Sequence, residues 1–542
     1  MTDHDDAAIL GRVMLAFDGV TVPRRIVERL ASAPAAGVTL FIHHNVRSAA
    51  QVRELTEALQ RAAGPRGTGA GAGTGAGAGA GSPTSLLIAA DQEGGQFLAL
   101  GADSSPFAGN MALGAADDPA LTEAIGRAIG TEARAMGVNV VYAPVVDLAT
   151  NPANPALGIR AFGDDPARVA IHGAAMVRGL QGAGVAAAVK HAPGKGHVAA
   201  DTHHGIASVS EPLQVLRARE FTPFRAAFAA GARLAMSGHL ALPAISGQAD
   251  LPSTLSRAVM TDLLRGELGF EGVTISDALD MRALAQGPAQ ALDVIAAVRA
   301  GVDLLLASAD PVALERIEAA LVHAHARCLF DIEEVAATGR RIEALRAWVG
   351  AAERGPVPDL AVVGGPEHQA LARDLAERSI TLLRDPGGRL PLLPASGMRI
   401  IAVMPGPADL TPADTSSTVA PGLASSLRRY APEVEEIVVG QEPEDGEIAA
   451  VRSRAASDGV AGVVIGTIDG HRQPSQIRLV EAVAATDVPT IAIALRGPWD
   501  VAAYPADVTA LAAYGILPPT LDALAAVIAG VAVARGHVPV AL

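Results

Sequence analysis

Short, continuous apolar runs punctuate the first two-thirds of the chain, and each is followed by a stretch in which apolar positions return at helical spacing. A run of four to six apolar residues bounded by turn signals is the pattern of a buried strand rather than of a half-exposed one, which would alternate. Residues 13–17, 38–42, 86–90, 138–143, 185–189, 234–237, 272–276 and 302–306 form eight such runs. Helix starts stand between several of them. Ser48 with Gln51 three residues on reads as a capping box, and Asp118-Pro119 and Asp165-Pro166 each read as an N-cap followed by proline at the first helical position. Gly137 closes the helix that Asp118 opens.

Eight strands alternating with helices predict an α/β protein whose first part is a (β/α)8 TIM-type barrel. Near residue 350 the rhythm changes. Pro356 and Pro358 mark a linker, and a second series of runs follows at 380–383, 400–404, 436–439, 463–467, 490–495 and 511–514. This second series predicts a C-terminal open α/β sandwich. The expected division is a barrel over 1–350, a linker and helix over 351–378, and the second domain over 379–542. The Gly/Ala/Thr-rich segment 64–81 joins a helix to the third strand, so it is expected as an insertion at the barrel end away from catalysis. Asp91, Asp147, Lys190, His191, His239 and Asp277 all fall just past the C-terminal ends of predicted strands, the end where barrels of this type build their active sites.

Charge and composition narrow the partners. The 57 acidic residues outnumber the 42 basic ones, for a net charge of −15, which argues against nucleic acid or an anionic membrane as partner. A single cysteine, Cys328, excludes an internal disulfide framework. The start Met-Thr-Asp-His-Asp-Asp is acidic where a signal peptide is basic, and no long apolar run follows, so a cytoplasmic protein is expected.

The densest candidate chemistry lies over residues 189–204, V-K-H-A-P-G-K-G-H-V-A-A-D-T-H-H, directly after the fifth run. In an extended loop, positions two apart point the same way, so Asp201 can hydrogen-bond one ring nitrogen of His203 and leave the other to move a proton. The same residues also read as a solvated loop. A metal site is the third reading, but histidines at 191, 197, 203 and 204 fit no helical His-x-x-x-His pair and no cysteine joins them. No metal and no cofactor is expected.

The loop resembles the K-H-F-P-G-H-G-x(4)-D-S-H motif of glycoside hydrolase family 3, in its β-N-acetylglucosaminidase branch. Lys190, His191, Pro193, Gly194, Gly196, Asp201 and His203 match, while Ala192, Lys195 and Thr202 depart. The stretch from Leu268 to Met281, L-G-F-E-G-V-T-I-S-D-A-L-D-M, resembles the segment of that family that carries the nucleophile. Arg378 to Asp385 and Leu495 to Asp500 resemble its second domain. The resemblance implies Asp277 as nucleophile, His203 as the proton donor with Asp201 behind it, and Asp91, Arg160, Lys190 and His191 as sugar-binding residues. It further implies a retaining, exo-acting β-N-acetylhexosaminidase acting on a small carbohydrate, in the context of cell-wall sugar recycling. Two alternatives stay open: a phosphorylase that uses phosphate as acceptor, and a weakly active sugar-binding relative. The family continues D-x-E-G-G-R-V-x-R after the third strand, whereas this chain has Gln96 and Ala99 in place of the two arginines. That departure bears on substrate binding, since both catalytic motifs are intact.

Overall fold

In a computed structural model of the chain, residues 8–64, 85–198 and 205–542 are described. Among them, eight parallel strands form one sheet: β1 (Val13–Leu15), β2 (Gly37–Leu40), β3 (Leu87–Ala90), β4 (Val140–Val141), β5 (Ala186–Ala192), β6 (Leu234–Ser237), β7 (Val273–Ser276) and β8 (Leu305–Leu306). Each strand from β1 to β7 lies beside its neighbour in sequence, and β8 returns to pair with β1 through Val13↔Leu305 and Met14↔Leu306. A lone parallel bridge, Ile275↔Leu304, joins β7 to the start of β8 and closes the barrel. The expected (β/α)8 barrel is therefore present.

Period-two geometry explains why the strands read as unbroken apolar runs. Met14, Leu87, Ala89, Ala186 and Ala188 point into the barrel, while Val13, Leu15, Ile88, Ala187 and Val189 point outward under the helices. Inside the barrel, alanines leave room for Tyr142, whose hydroxyl meets Thr39 Oγ1 at 2.8 Å. The surrounding helices include α1 (Arg24–Ser32), α2 (Ala49–Ala63), α3 (Pro119–Ala135), α4 (Pro166–Gly182), α5 (Phe221–Ala229), α6 (Gln290–Ala300) and α7 (Pro311–Ala326). A π-helix, Ala258–Glu267, stands between β6 and β7.

The expected caps are in place. Asp118 Oδ1 accepts from Ala120 N and Leu121 N at 2.9 and 3.2 Å, and Asp165 Oδ1 accepts from Ala167 N and Arg168 N at 2.8 and 2.9 Å. The capping box at Ser48 is half as expected. Ser48 Oγ accepts from Gln51 N at 3.2 Å, but the Gln51 side chain returns to Arg47 N at 2.9 Å, one residue earlier.

The N-terminal mouth of the barrel is covered by α8 (Ile332–Glu353), whose Ile342, Leu345 and Val349 join the interior core. Its polar groups tie to strand starts. Arg346 Nη2 donates to Ala35 O at 2.7 Å, and Glu353 Oε1 accepts from Asn139 Nδ2 at 2.9 Å. Fully buried Asp303, just before β8, accepts from Arg265 Nη2 and Arg341 Nη2, both at 2.6 Å, and from Thr338 Oγ1 at 2.8 Å.

The second sheet comprises β9 (Thr381–Arg384), β10 (Arg399–Pro405), β11 (Val434–Val439), β12 (Val460–Thr467), β13 (Thr490–Ala494) and β14 (Thr509–Ala512), in the order β9-β14-β13-β12-β10-β11. Pairings are parallel except for β9, an antiparallel edge on β14. Helices α9 (Pro366–Ser379) and α12 (Pro518–Ile528) pack on one face, and α10 (Asp445–Ala455) and α11 (Pro474–Ala484) on the other. This is the open α/β sandwich expected. One apolar core runs without a break from the outside of the barrel to the α10–α11 face of this sheet.

Several strand bounds differ from expectation. The runs at 138–143 and 302–306 yield only the two-residue ladders Val140–Val141 and Leu305–Leu306. The fifth run continues past residue 189 to Ala192, so Lys190 and His191 belong to the strand and not to the loop after it. The Gly-rich insertion lies outside the described residues, apart from Gly64. Among the described residues no helix is long and apolar enough to cross a membrane.

Gly137 sits at φ 79°, where a Cβ would meet Thr56 Oγ1 at 2.2 Å. Gly137→Ala is expected to destabilise the fold by about 1–3 kcal/mol in urea titrations. Gly339, inside α8 with nothing within 4 Å of its Cβ position, supplies the contrast. Gly339→Ala should be neutral or stabilising by up to about 1 kcal/mol.

Candidate active site

The strands' C-terminal ends surround a cavity of about 490 Å³, lined among others by Asp91, Arg160, Lys190, His191 and Asp277. All five sequence-predicted site residues that fall in the described part of the chain thus meet in one place. Asp201 and His203 lie outside the described residues.

Lys190 and His191 are adjacent in sequence, and strict alternation along a strand would send one of them away from the cavity. A register shift in the β5–β6 pairing, between Val189 and Ala192, lets both reach it. Lys190 is buried and would be unstable there alone. Its ammonium lies 2.6 Å from Glu93 Oε1 and also bonds Asp91 Oδ1. Glu93 is the hub: Arg160 grips it with both arms of its fork, Nε to Oε2 at 2.8 Å and Nη2 to Oε1 at 2.7 Å. Burial pushes the Glu93 carboxyl up, but Arg160 and Lys190 together outweigh it and hold it at about 2. Burial likewise works against the Lys190 ammonium, and Asp91 and Glu93 overcome it, so its pKa is raised. Arg160 is delivered by the 3-10 turn Gly158–Arg160 and fastened at its carbonyl by Asn110 Nδ2 at 2.7 Å. The Phe97 ring lies 5.9 Å from both cationic heads.

Asp147, after β4, organises the turn that follows β5. Its Oδ2 accepts from His191 Nδ1 at 2.7 Å and from His191 N at 3.2 Å, and its Oδ1 accepts from Lys195 N at 2.8 Å. Burial raises the Asp147 carboxyl, against the pull of the Lys195 cation and of those backbone donors. The contact assigns the Nδ1 proton of His191 to the side facing Asp147, the role expected of Asp201 toward His203. Asn154 Nδ2 supports the turn from the other side, at 3.0 Å from Lys195 O. The turn packs so closely that a Cβ on Gly196 would meet Leu148 O at 1.7 Å.

Asp277 follows β7. Its backbone N–H donates to Ser237 O at 3.2 Å, and Ala278 N donates to its Oδ1 at 2.9 Å, which fixes the carboxylate at the cavity wall. His239, expected as a polar residue of the catalytic face, is instead wholly buried beneath this corner. Its Nδ1 meets Thr254 Oγ1 at 2.8 Å and its Nε2 meets Ala278 O at 3.1 Å, so it supports the residue next to Asp277. Burial lowers its pKa.

Glu93 is the residue of the site that the sequence reading missed; Asp147 is expected on the catalytic face, but its hold on His191 and on the backbone of Lys195 is not. A usable signal was present for Glu93. Asp91 and Glu93 stand two apart in an extended segment and therefore face the same way, toward the same lysine. At the positions where the family's arginines are missing, Gln96 and Ala99 are both buried. Gln96 Nε2 donates to Ala413 O at 3.3 Å, and Gln96 O accepts from Thr415 N at 2.8 Å. The link carries Pro412 and Ala413, from the loop after β10, onto the cavity wall. Lys195 supplies a cation the motif does not have. Its side chain is buried and lines the cavity, and burial and then Arg160 lower its pKa. Among the described residues, no group of three or more His, Cys, Asp or Glu is placed to hold a metal.

Residues 17–343 match the model of the glycosyl hydrolase family 3 N-terminal domain. A "Beta-hexosaminidase A" of Pseudoalteromonas piscicida is 29% identical over 96% of this chain and 91% of its own. A "Beta-hexosaminidase" of Xanthomonas axonopodis pv. citri is 38% identical over 57% of this chain and 86% of its own. The solved structure of a glycoside hydrolase family 3 beta-N-acetylglucosaminidase from Paenibacillus sp. superposes with a TM-score of 0.90 at 31% identity, covering 100% of this chain and 99% of that one.

Removing the charge of Glu93 leaves two buried cations short of a partner. Glu93→Gln is expected to lower stability at pH 7 by about 3–5 kcal/mol in chemical denaturation. The Glu93 carboxyl is depressed from 4.5 to about 2 in the fold, so its contribution is complete above pH 4.5 and lost as pH falls through that window. The acid limb of the parent's stability profile should therefore be steeper than that of the variant.

Proposed function

The chain belongs to glycosyl hydrolase family 3 and is a glycoside hydrolase. On that footing we propose that it is a retaining, exo-acting β-N-acetylhexosaminidase that releases terminal β-linked N-acetylglucosamine through a glycosyl ester on Asp277, in the turnover of cell-wall amino sugars. The observation that carries this reading is the meeting of Asp277 with Asp91, Lys190, Arg160 and His191 around one cavity, floored by the barrel and walled by residues 412–413. The names of the relatives, beta-hexosaminidases and a beta-N-acetylglucosaminidase, support the acetamido sugar.

In the reaction we infer, a sugar hydroxyl donates to the Asp91 carboxylate and accepts from Lys190, a pairing that uses both functions of the hydroxyl. The Asp277 carboxylate attacks the anomeric carbon as the bond to the aglycone breaks. The imidazolium of His203, oriented by Asp201, delivers its proton to the departing oxygen. His203 is then neutral. It takes a proton from water, the water oxygen attacks the anomeric carbon, and the Asp277 carboxylate leaves. Two inversions give net retention. An imidazole with an unperturbed pKa of ~6.5 holds both protonation states near neutrality, as this exchange of roles requires.

Incubation with a 2-deoxy-2-fluoro aryl glycoside should label Asp277, as located by mass spectrometry of peptides. A label elsewhere removes it as nucleophile. We expect free N-acetylglucosamine as the product from the aryl N-acetylglucosaminide, with or without phosphate. Sugar 1-phosphate would instead make phosphate the acceptor, which the buried cation of Lys195 favours. His203→Ala should depress kcat/KM for alkyl leaving groups at least ~100-fold more than for nitrophenyl ones, because a good leaving group departs without a proton. Equal losses for both would remove His203 from the acid role.

A further inference from the structure

At the opposite end of the barrel, beneath the seam where it closes, lies a second cavity of about 100 Å³. Arg12, the residue before β1, lines it with a side chain that is 1% exposed. Its Nε has no hydrogen-bond partner among the described residues. A buried guanidinium left in this state is costly unless something completes its shell. The neighbouring carboxylate does not do so. Asp303 is engaged by Arg265 Nη2 and Arg341 Nη2 at 2.6 Å, Thr338 Oγ1 at 2.8 Å and Thr274 N at 2.9 Å. Arg265, Arg299 and Arg341 also line the cavity. Of the acidic residues on its wall, Glu334 is bonded by Arg257 at 2.7 Å, and Asp331 Oδ1 caps α8 through Glu333 N at 2.8 Å. Burial holds the Arg12 pKa down at about 10 against the pull of Asp303, as expected of a cation that lacks a counter-charge.

We propose that this cavity binds one small tetrahedral oxyanion of the phosphate or sulfate class, held by Arg12 together with Arg265 and Arg341. A volume of about 100 Å³ leaves room for one such ion. A guanidinium fork matches oxyanion geometry with paired N–H donors. Arg12 is the principal donor here, because Arg265 Nη1 and Nη2 already hold Phe270 O, Gly272 O and Asp303, and Arg341 Nε and Nη2 hold Asp303. Water would satisfy the donors but not the charge. The position gives the ion a structural role. Arg12 precedes β1, Arg265 lies in the last turn of the π-helix before β7, and Arg341 lies on α8. An ion bridging them spans the β7–β8–β1 seam, where β7 and β8 share a single bridge.

Thermal unfolding of the full chain in millimolar sulfate, with chloride adjusted to constant ionic strength, tests this against Arg12→Met. Sulfate cannot accept a glycosyl group, which separates this site from the catalytic one. At a concentration tenfold above the dissociation constant, the parent's midpoint should rise by roughly 2 °C. Arg12→Met should keep the parent's turnover and lose most of that rise. General salting effects would raise both proteins alike, so equal shifts, or no shift in the parent, overturn the proposal. If Arg12→Met does not fold, Arg12→Lys keeps a charge without the fork and should bind sulfate about tenfold more weakly. Equal binding by the parent and Arg12→Lys would likewise overturn it.

Discussion

The grip of Arg160 and Lys190 on Glu93 is the constraint around which the catalytic end is built. Three charged side chains share a buried space, and the two cations, which repel each other, are tolerable there because of the carboxylate between them. They come from three places in the chain: the hairpin after β3, the turn after β4 and the end of β5. Setting one therefore sets all three. Asp91 is fixed through Lys190, and the cavity inherits its geometry from an ion network that need not touch a ligand at every member. Asp147 repeats the device one layer over. There a buried carboxylate collects His191 and the backbone of Lys195, and so holds still the turn that leads into the rest of the motif. Preorganised polar groups of this kind need no rearrangement when charge develops on the substrate.

The two ends of the barrel use buried charge for different purposes. At the C-terminal end, the carboxylates and cations line a cavity and are available to a ligand. At the N-terminal end, Asp303 is consumed by two arginines and two threonines, and it fastens α8, the π-helix and β8 to one another. The second sheet contributes to the first end. Through Gln96 and Thr415 it carries Pro412 and Ala413 to the rim. The place of a missing arginine is thus taken by a neutral side chain that joins the barrel to its neighbour.

Apolar runs revealed the eight strands and their order because parallel strands under helices are buried on both faces and leave no ambiguity of period. They could not mark strand ends at the catalytic rim. The fifth run reads as stopping at Val189 because the next two residues are polar, yet at the mouth of a barrel polar residues belong on the strand. The same rule made His239 look catalytic. A histidine past a strand end can face the cavity or turn beneath it, and the choice depends on Thr254 and the Ala278 carbonyl, which are remote or featureless in sequence. Asp91, Lys190, His191 and Asp277 were legible from motif residues at strand ends, and Arg160 only through the family resemblance of its loop. Glu93 was not legible, and Asp147 only as a polar residue on the catalytic face, because a residue that serves by holding another shows no partner in the sequence. Asp201 and His203 rest on the sequence alone.

The pairing of β1 with β8 also has a consequence for synthesis. Val13 is among the first residues of the barrel to leave the ribosome, and its partner Leu305 is among the last. For most of translation, then, β1 has an open edge with nothing of its own chain to cover it, and such an edge can recruit other nascent chains. Its shortness, three residues, limits that hazard. Closure must also wait for α8, which is made after β8 and supplies Arg341 and the cover of the barrel floor. The barrel is therefore finished late, and chains interrupted shortly before α8 would carry all eight strands without the cover of the barrel floor.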